Sequence, residues 1–319
     1  MTWAGVVEAV LRVAIVMAGF LVLPLLVGQM EHKGMAHMQA RLGPMYAGGF
    51  HGWAQLVADA VKFVQKEEVV PAGADAPVFR LAPVVALLPY FIAMVAIPIG
   101  PALVGQPLDV GIFFVLAVRG VGVLGTLMGG WASANKFSLL GGVRQAAQLM
   151  AYELPFVLAA ASAAMAAGTL SLVGIVDAWQ PWWLVWQLPG AVVFFVAGVA
   201  EISRSPFDMP IAESEIIFGP LTEYTGLRFA FFLLAEYVGI VVLSLLTTVL
   251  FLGGWHGPGF DSFAWTLLKA AMLAFVVIWL RVSYPRLRED QLQRFAWIKL
   301  VPVTLIWILG VAFVKVANA

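Results

Sequence analysis

Long apolar stretches recur along the chain near 5–28, 79–99, 110–131, 143–168, 181–200, 228–253, 263–284 and 296–317. About 20 apolar residues at about 1.5 Å rise cross the roughly 30 Å of bilayer hydrocarbon. Each stretch therefore reads as a membrane-spanning helix. The pattern predicts an all-α polytopic membrane protein of about eight transmembrane helices, one integral membrane domain over 1–319. No repeat at a period of about 20–50 residues marks the chain as a solenoid or an array. The start of the chain lacks a basic n-region and a small-residue cleavage site, so Met1 is read as part of the mature protein.

The polar positions are distributed unevenly between the spans. Segments 29–80, 132–144, 201–228 and 281–299 hold 5, 2, 2 and 5 Lys or Arg, which is 14 of the 18 in the chain. Segments 100–109, 169–180 and 254–262 hold none. By the positive-inside tendency the first set faces the cytoplasm and both termini lie on the outer side of the cell membrane. Trp179, Trp182, Trp183 and Trp186 gather at the start of the fifth stretch as an aromatic interface belt would.

Composition sharpens this picture. The chain is 62% hydrophobic and 11% charged, against about 45–50% and about 25% for soluble domains. Equal numbers of acidic and basic residues give no field that would attract nucleic acid. The absence of cysteine excludes a thiolate-held iron-sulfur cluster, a disulfide and a thiol nucleophile on this chain. No metal site is expected, and redox chemistry would belong to partners.

The inner segments carry dense polar motifs. Trp53, Leu56, Val57, Ala60, Val61 and Val64 share one helical face, and Gln55, Asp59, Lys62 and Lys66 the opposite one. This is either an interfacial helix with a solvated polar face or a helix whose polar face lines a cavity shared with a docked subunit. Ahead of it stand Glu31-His32-Lys33 and the turn-forming Arg41-Leu42-Gly43-Pro44.

The segment from Glu201 is the most charged. Glu201, Asp208, Glu213, Glu215, Glu223 and Glu236 fall within 36 residues, with only Arg204 and Arg228 as cations. Self-repulsion of this kind raises carboxylate pKa values, as a proton relay requires, although solvated loop charges share the pattern. Glu236 lies inside an apolar span, where even a lenient insertion scale charges about 2.5–3.5 kcal/mol. Glu153 and Arg119 are similarly isolated in spans; Arg119 suits an internal ion pair or a structural role. Glu8, Arg12 and Lys269 lie nearer span ends, where snorkelling accounts for them.

Read together, Glu31 to Pro44, the Gln55-Asp59-Lys62-Lys66-Glu67 helix, Trp131 to Glu153, Ala200 to Tyr237 and Arg281 to Leu292 resemble the quinone-chamber subunit of respiratory complex I. In bacterial NADH-quinone oxidoreductases that family is known as the H subunit. The resemblance covers nearly the whole chain, and Glu201 to Glu215 followed by Thr222-Glu223-Tyr224 is its most specific part.

The resemblance implies a component at the junction of the membrane and hydrophilic arms of a proton-translocating NADH-quinone oxidoreductase. Its partners would be iron-sulfur subunits of the hydrophilic arm, membrane-arm subunits, lipid and quinone; flavin and iron-sulfur clusters would sit only in those partner subunits. Glu31, Arg41, Asp59 and Lys62 would line the quinone chamber. Glu153, Glu201, Asp208, Glu213, Glu215, Glu223 and Glu236 would form a proton relay. Arg281, Arg286 and Arg288 would hold loops and the docking surface. The chain departs from the family at Ile211 and Gly122, where relatives carry acidic residues, and at His32 and Met45, which points to a divergent paralogue.

Two other classes fit parts of the pattern. A membrane component of a quinone-free energy-converting hydrogenase would keep the carboxylates, but the nearly intact segments before Pro71 and after Arg281 favour quinone. A stand-alone proton-coupled transporter would use the intramembrane charges, but the halves lack matched interrupted spans. A haem anchor fails because His32, His37, His51 and His256 all lie between spans.

Overall fold

The structure is a computed structural model that describes residues 3–101 and 103–317; the side chains of Glu8 and Glu213 lie outside the described residues. The described residues are helical with no strands, as the apolar pattern predicts. In chain order the main helices are α1 (Trp3–Met38), α2 (Gln55–Gln65), α3 (Ala76–Ala96), α4 (Gly111–Ala132) and α5 (Lys136–Ala167). They continue with α6 (Leu188–Glu201), α7 (Gly226–Phe251), α8 (Phe263–Ser283) and α9 (Glu289–Ala317), the last containing a π turn at Phe295–Leu300.

Seven described helices are long and apolar enough to cross a membrane. The eighth expected span, near 181–200, is instead a single turn, Trp183–Trp186, followed by the 14-residue α6. At about 1.5 Å per residue, α6 reaches about 21 Å, short of the hydrocarbon thickness. The break falls at Gln187 because Pro189, in the first turn of α6, has no N–H to continue the preceding turn. The tryptophans also differ from a surface belt: Trp183 is buried and packs on Trp186, which meets Trp307 of α9.

Helix α7 is the centre of the bundle. Every residue from Val238 to Phe251 is buried, as expected of a helix that is apolar all round. Its two threonine hydroxyls bond within the helix, Thr247 Oγ1 donating to Leu243 O and Thr248 Oγ1 to Ser244 O, each at 2.8 Å. Helices α3 and α4 approach backbone to backbone. A Cβ on Gly125 would lie 2.3 Å from Ala86 N, so only glycine fits that crossing.

The four cation-bearing segments meet at one end of this bundle. Thr225 bonds Glu67 O, Arg228 pairs with Glu68 at 2.9 Å, Asn135 bonds Glu223, and Arg144 pairs with Glu215. The segment between α6 and α7 is itself built tightly. Gln148 donates to Ala200 O and Phe207 O, and Tyr224 to Phe79 O while its ring stacks on Phe79. Gly219, at φ +52°, leaves no room for a side chain, because a Cβ would lie 2.0 Å from Pro210 O.

Candidate quinone-chamber and proton-relay site

The charged residues sort into three groups. The first surrounds Arg204, which is 4% exposed at the start of the α6–α7 segment. Arg204 Nη1 donates to Glu31 Oε1 and Oε2 at 3.0 and 3.2 Å, and its Nε forms an ion pair with Glu236 Oε1 at 2.7 Å. Arg281 of α8 pairs with the same Glu31, and the Arg204 guanidinium lies over the Tyr237 ring at 4.9 Å. One loop and three helices (α1, α7 and α8) are thereby tied by two carboxylates and two guanidinium groups. Burial alone would loosen the proton on Arg204; Glu236 and Glu31 more than offset it and hold the guanidinium charged.

This cluster forms part of the wall of a cavity of about 610 Å³. Arg204, Glu236, Tyr237, Arg281, Arg286 and Asp208 supply its polar side, and Phe218, Leu221, Phe229 and Leu233 an apolar side. A space of about 50 Å³ adjoins it, bounded by Tyr90, Gln145, Glu201 and Thr126. Ser203, Ile211, Leu221 and Glu236 are common to both walls. The smaller space exceeds the roughly 10–15 Å³ that a water needs. Glu236 thus stands between an open cavity and a narrow polar passage leading to Glu201.

The second group lies at the far side of that passage. Glu201 and Arg119 are both buried and form an ion pair at 3.3 Å, and Arg119 packs on the Phe156 ring at 4.6 Å. Of the two roles open to Arg119, the internal ion pair is the one it takes. Among the described residues Glu201 Oε2 and the Arg119 nitrogens have no hydrogen-bond partner, a condition that ordered water satisfies in buried polar sites. Half-buried Glu153 on α5 stands close enough to Glu201 to repel it, and its Oε1 would lie 3.2 Å from a Cβ on Gly120.

The third group is a surface network. Arg144 pairs with Glu215 at 2.6 Å and with Glu289 at 3.8 Å, while Arg286 joins Asp208 at 3.2 Å and Glu215 at 3.7 Å. The hydrogen bond from Arg144, with the nearby Arg286 and Arg288, holds the Glu215 carboxyl below the usual glutamate range. Glu223 stands apart, accepting from Asn135 Nδ2 at 2.6 Å. Glu213 is in a short helix, Glu213–Ile216, and nothing further is described of its side chain.

The residues singled out in the sequence as chamber-lining are dispersed. Glu31 is buried behind the cavity wall through Arg204 and Arg281. Asp59 pairs with Lys62 at 3.5 Å and accepts from Gln55 along α2, and Arg41 is exposed; none of these three lines the 610 Å³ cavity. The apolar stripe of α2 faces outward at Trp53, Val57, Val61 and Val64. Conversely, Arg204, Arg281, Arg286, Tyr90 and Gln145 line the cavities although they have no place in the relay expected from the sequence. The signal for Arg204 was present: it is one of two cations among six carboxylates.

Lys269 does not snorkel. Its ammonium donates to Leu252 O, Gly254 O and His256 O at 2.7, 3.0 and 2.6 Å, the carbonyls left free where α7 ends.

A bundle of membrane-length helices with a charged cavity at one end defines a polytopic membrane protein. Residues 11–312 match the family model described as NADH dehydrogenase. The chain is 46% identical over 290 residues to the NADH-quinone oxidoreductase H subunit of Anoxybacillus flavithermus, and 44% identical over 290 residues to that of Geobacillus kaustophilus. Each alignment covers 89% of this chain and 87% of the relative. The chain belongs to the H-subunit family of NADH-quinone oxidoreductases, and it is a multi-pass membrane protein.

Proposed function

We propose that this chain is the membrane subunit that forms the quinone chamber of a proton-translocating NADH-quinone oxidoreductase and links quinone reduction to proton transfer. The observation that carries this reading is Glu236, shared by the wall of a cavity of about 610 Å³ and of a polar passage to Glu201. The cavity's size falls within the roughly 300–1,000 Å³ of small-molecule sites. Its combination of guanidinium groups and aromatic side chains suits a polar quinone head with an apolar tail.

Electrons would come from iron-sulfur clusters and flavin in partner subunits, since this chain offers no thiolate. Its own residues handle charge. Arg204, Arg281 and Arg286 would stabilise negative charge developing on a reduced head group, because fixed cations in a water-poor site act strongly. Electron arrival would change the balance on Arg204, which already shares its charge between Glu31 and Glu236. Glu236 is the group placed to exchange a proton with the passage, and Glu201, Arg119 and Glu153 continue the route into the bundle. Asp208, Glu215 and Glu223, engaged with Arg286, Arg144 and Asn135, would hold the segment in shape, with Glu213 beside them. Arg41 ahead of α2, with Asp59 and Lys62 on it, would line a chamber completed by a docked hydrophilic-arm subunit. The cation-bearing segments would face the cytoplasm, with both termini outside and the whole chain one integral domain.

The test is Glu236→Gln in the assembled complex, with quinone reduction and proton uptake measured side by side in proteoliposomes. Assembly with quinone bound is expected, and proton translocation lost far more than the amide's nearly unchanged shape would explain. Unaltered translocation at an unaltered rate would remove Glu236 from the route.

A further inference from the structure

A cavity larger than the charged one lies at the opposite end of the bundle, and nothing in the proposed chamber or relay uses it. It measures about 1120 Å³ and runs along α8 beside the ends of α6 and α7. Its walls change character along its length. On α8, Leu268, Met272, Phe275 and Val276 make the wall apolar, and Leu184 and Leu252 extend it at the end of the bundle. Asp177, His256, Asp261 and the peptide of Gly257-Pro258 ring the mouth. An amphiphile matches such a gradient, and the volume exceeds the roughly 300–1,000 Å³ of drug-sized ligand sites.

The dimension along the membrane selects between hydrocarbon chains and a helix of a neighbour. The wall runs on α8 from Leu268 to Val276, about 12 Å at about 1.5 Å per residue. One leaflet of hydrocarbon is half of about 30 Å. The groove is therefore about as deep as one leaflet, whereas a spanning helix would need a seat about twice as long.

The charges at the mouth select the head group. The three N–H groups of Lys269 are all committed to the carbonyls of Leu252, Gly254 and His256. The His256 ring nitrogens are engaged by Asp261 Oδ1 at 2.9 Å and Val176 O at 3.1 Å. The cationic side chains therefore have no donors to spare for a phosphate. Asp177 is exposed and makes no ion pair among the described residues, and Asp261, also on the wall, has one oxygen outside its bond to His256. What the mouth offers is carboxylate, and carboxylates recognise ammonium.

We propose that this groove binds a single phospholipid with an ammonium-bearing head group, its chains along Leu268 to Val276 and its ammonium at Asp177 and Asp261. The inference is independent of the quinone reading.

The test uses the whole complex in liposomes containing photoactivatable phosphatidylethanolamine or photoactivatable phosphatidylglycerol, with labelled peptides identified by mass spectrometry. The ethanolamine lipid is expected to label the α8 stretch around Met272 preferentially. Ala271→Trp, which fills the groove, should lower that labelling several-fold. Asp177→Asn, an exposed and isosteric change that leaves packing alone, should abolish the preference for the ethanolamine lipid and keeps the test valid if the tryptophan variant does not assemble. Equal labelling by both lipids in the unaltered complex would overturn the head-group assignment. Absence of lipid label together with cross-linking of α8 to a neighbouring subunit would overturn the site.

Discussion

Arg204 Nε lies 2.7 Å from Glu236 Oε1, a pair that joins the loop after α6 to α7. The same guanidinium bonds Glu31 at 3.0 Å. Removing one member of a buried ion cluster leaves an uncompensated charge, worth about 3–5 kcal/mol of destabilisation. Glu31→Met or Arg204→Met alone should lower the thermal midpoint of the complex markedly. The double variant should lose clearly less than the sum of the two, because it leaves no orphaned partner for that contact. Additive losses would show that the two residues are not coupled.

Ile211 and Gly122 both line the 50 Å³ passage. These are the positions where the resemblance implies acidic residues in relatives, so on the proposed route between Glu236 and Glu201 this chain would carry fewer carboxylates. Ile211→Glu would place a carboxylate in the wall shared by both cavities. We expect this variant to restore part of the proton translocation lost in Glu236→Gln, measured as protons moved per quinone reduced. A double variant no better than Glu236→Gln alone would mean that the shared wall is not on the route.

Glu215 has a depressed pKa because Arg144 donates to its carboxylate. A carboxyl held below its unfolded value contributes stability that is fully present above that value, about 4.3, and is lost as pH falls through the lower folded value. The stability difference between the unaltered protein and Glu215→Gln should therefore be constant at neutral pH and disappear on acidification. The side chain is 49% exposed, so the difference is small, in the range of surface pairs. A difference that grows on acidification would reverse the assigned sign.

Much of the fold was legible because apolar length and the all-round apolarity of 238–251 are properties of continuous segments. The stretch 181–200 reads as one apolar run, and the run does not reveal that Gln187 and Pro189 divide it into a turn and a 14-residue helix. The site was legible as a set of carboxylates and much less as a set of pairs. Glu31 and Arg204 are 173 residues apart, and no local period encodes their meeting. The resemblance implies one relay through Glu201 to Glu236, and spacing alone does not tell its members apart: in the structure Asp208 and Glu215 pair with Arg286 and Arg144, while Glu236 and Glu201 line the passage. Lys269 looked like a snorkelling cation from its place in the span, whereas the unpaired carbonyls at the end of α7 capture it.

Whether the charged cavity receives quinone can be read by photolabelling the intact complex with a quinone bearing a photoreactive head group and mapping the modified peptides. Label is expected on the wall of the 610 Å³ cavity, in 203–218, 229–237 and 281–286, and suppressed by excess unmodified quinone. Competable label confined to other subunits, with none on these segments, would contradict the assignment of this cavity to quinone.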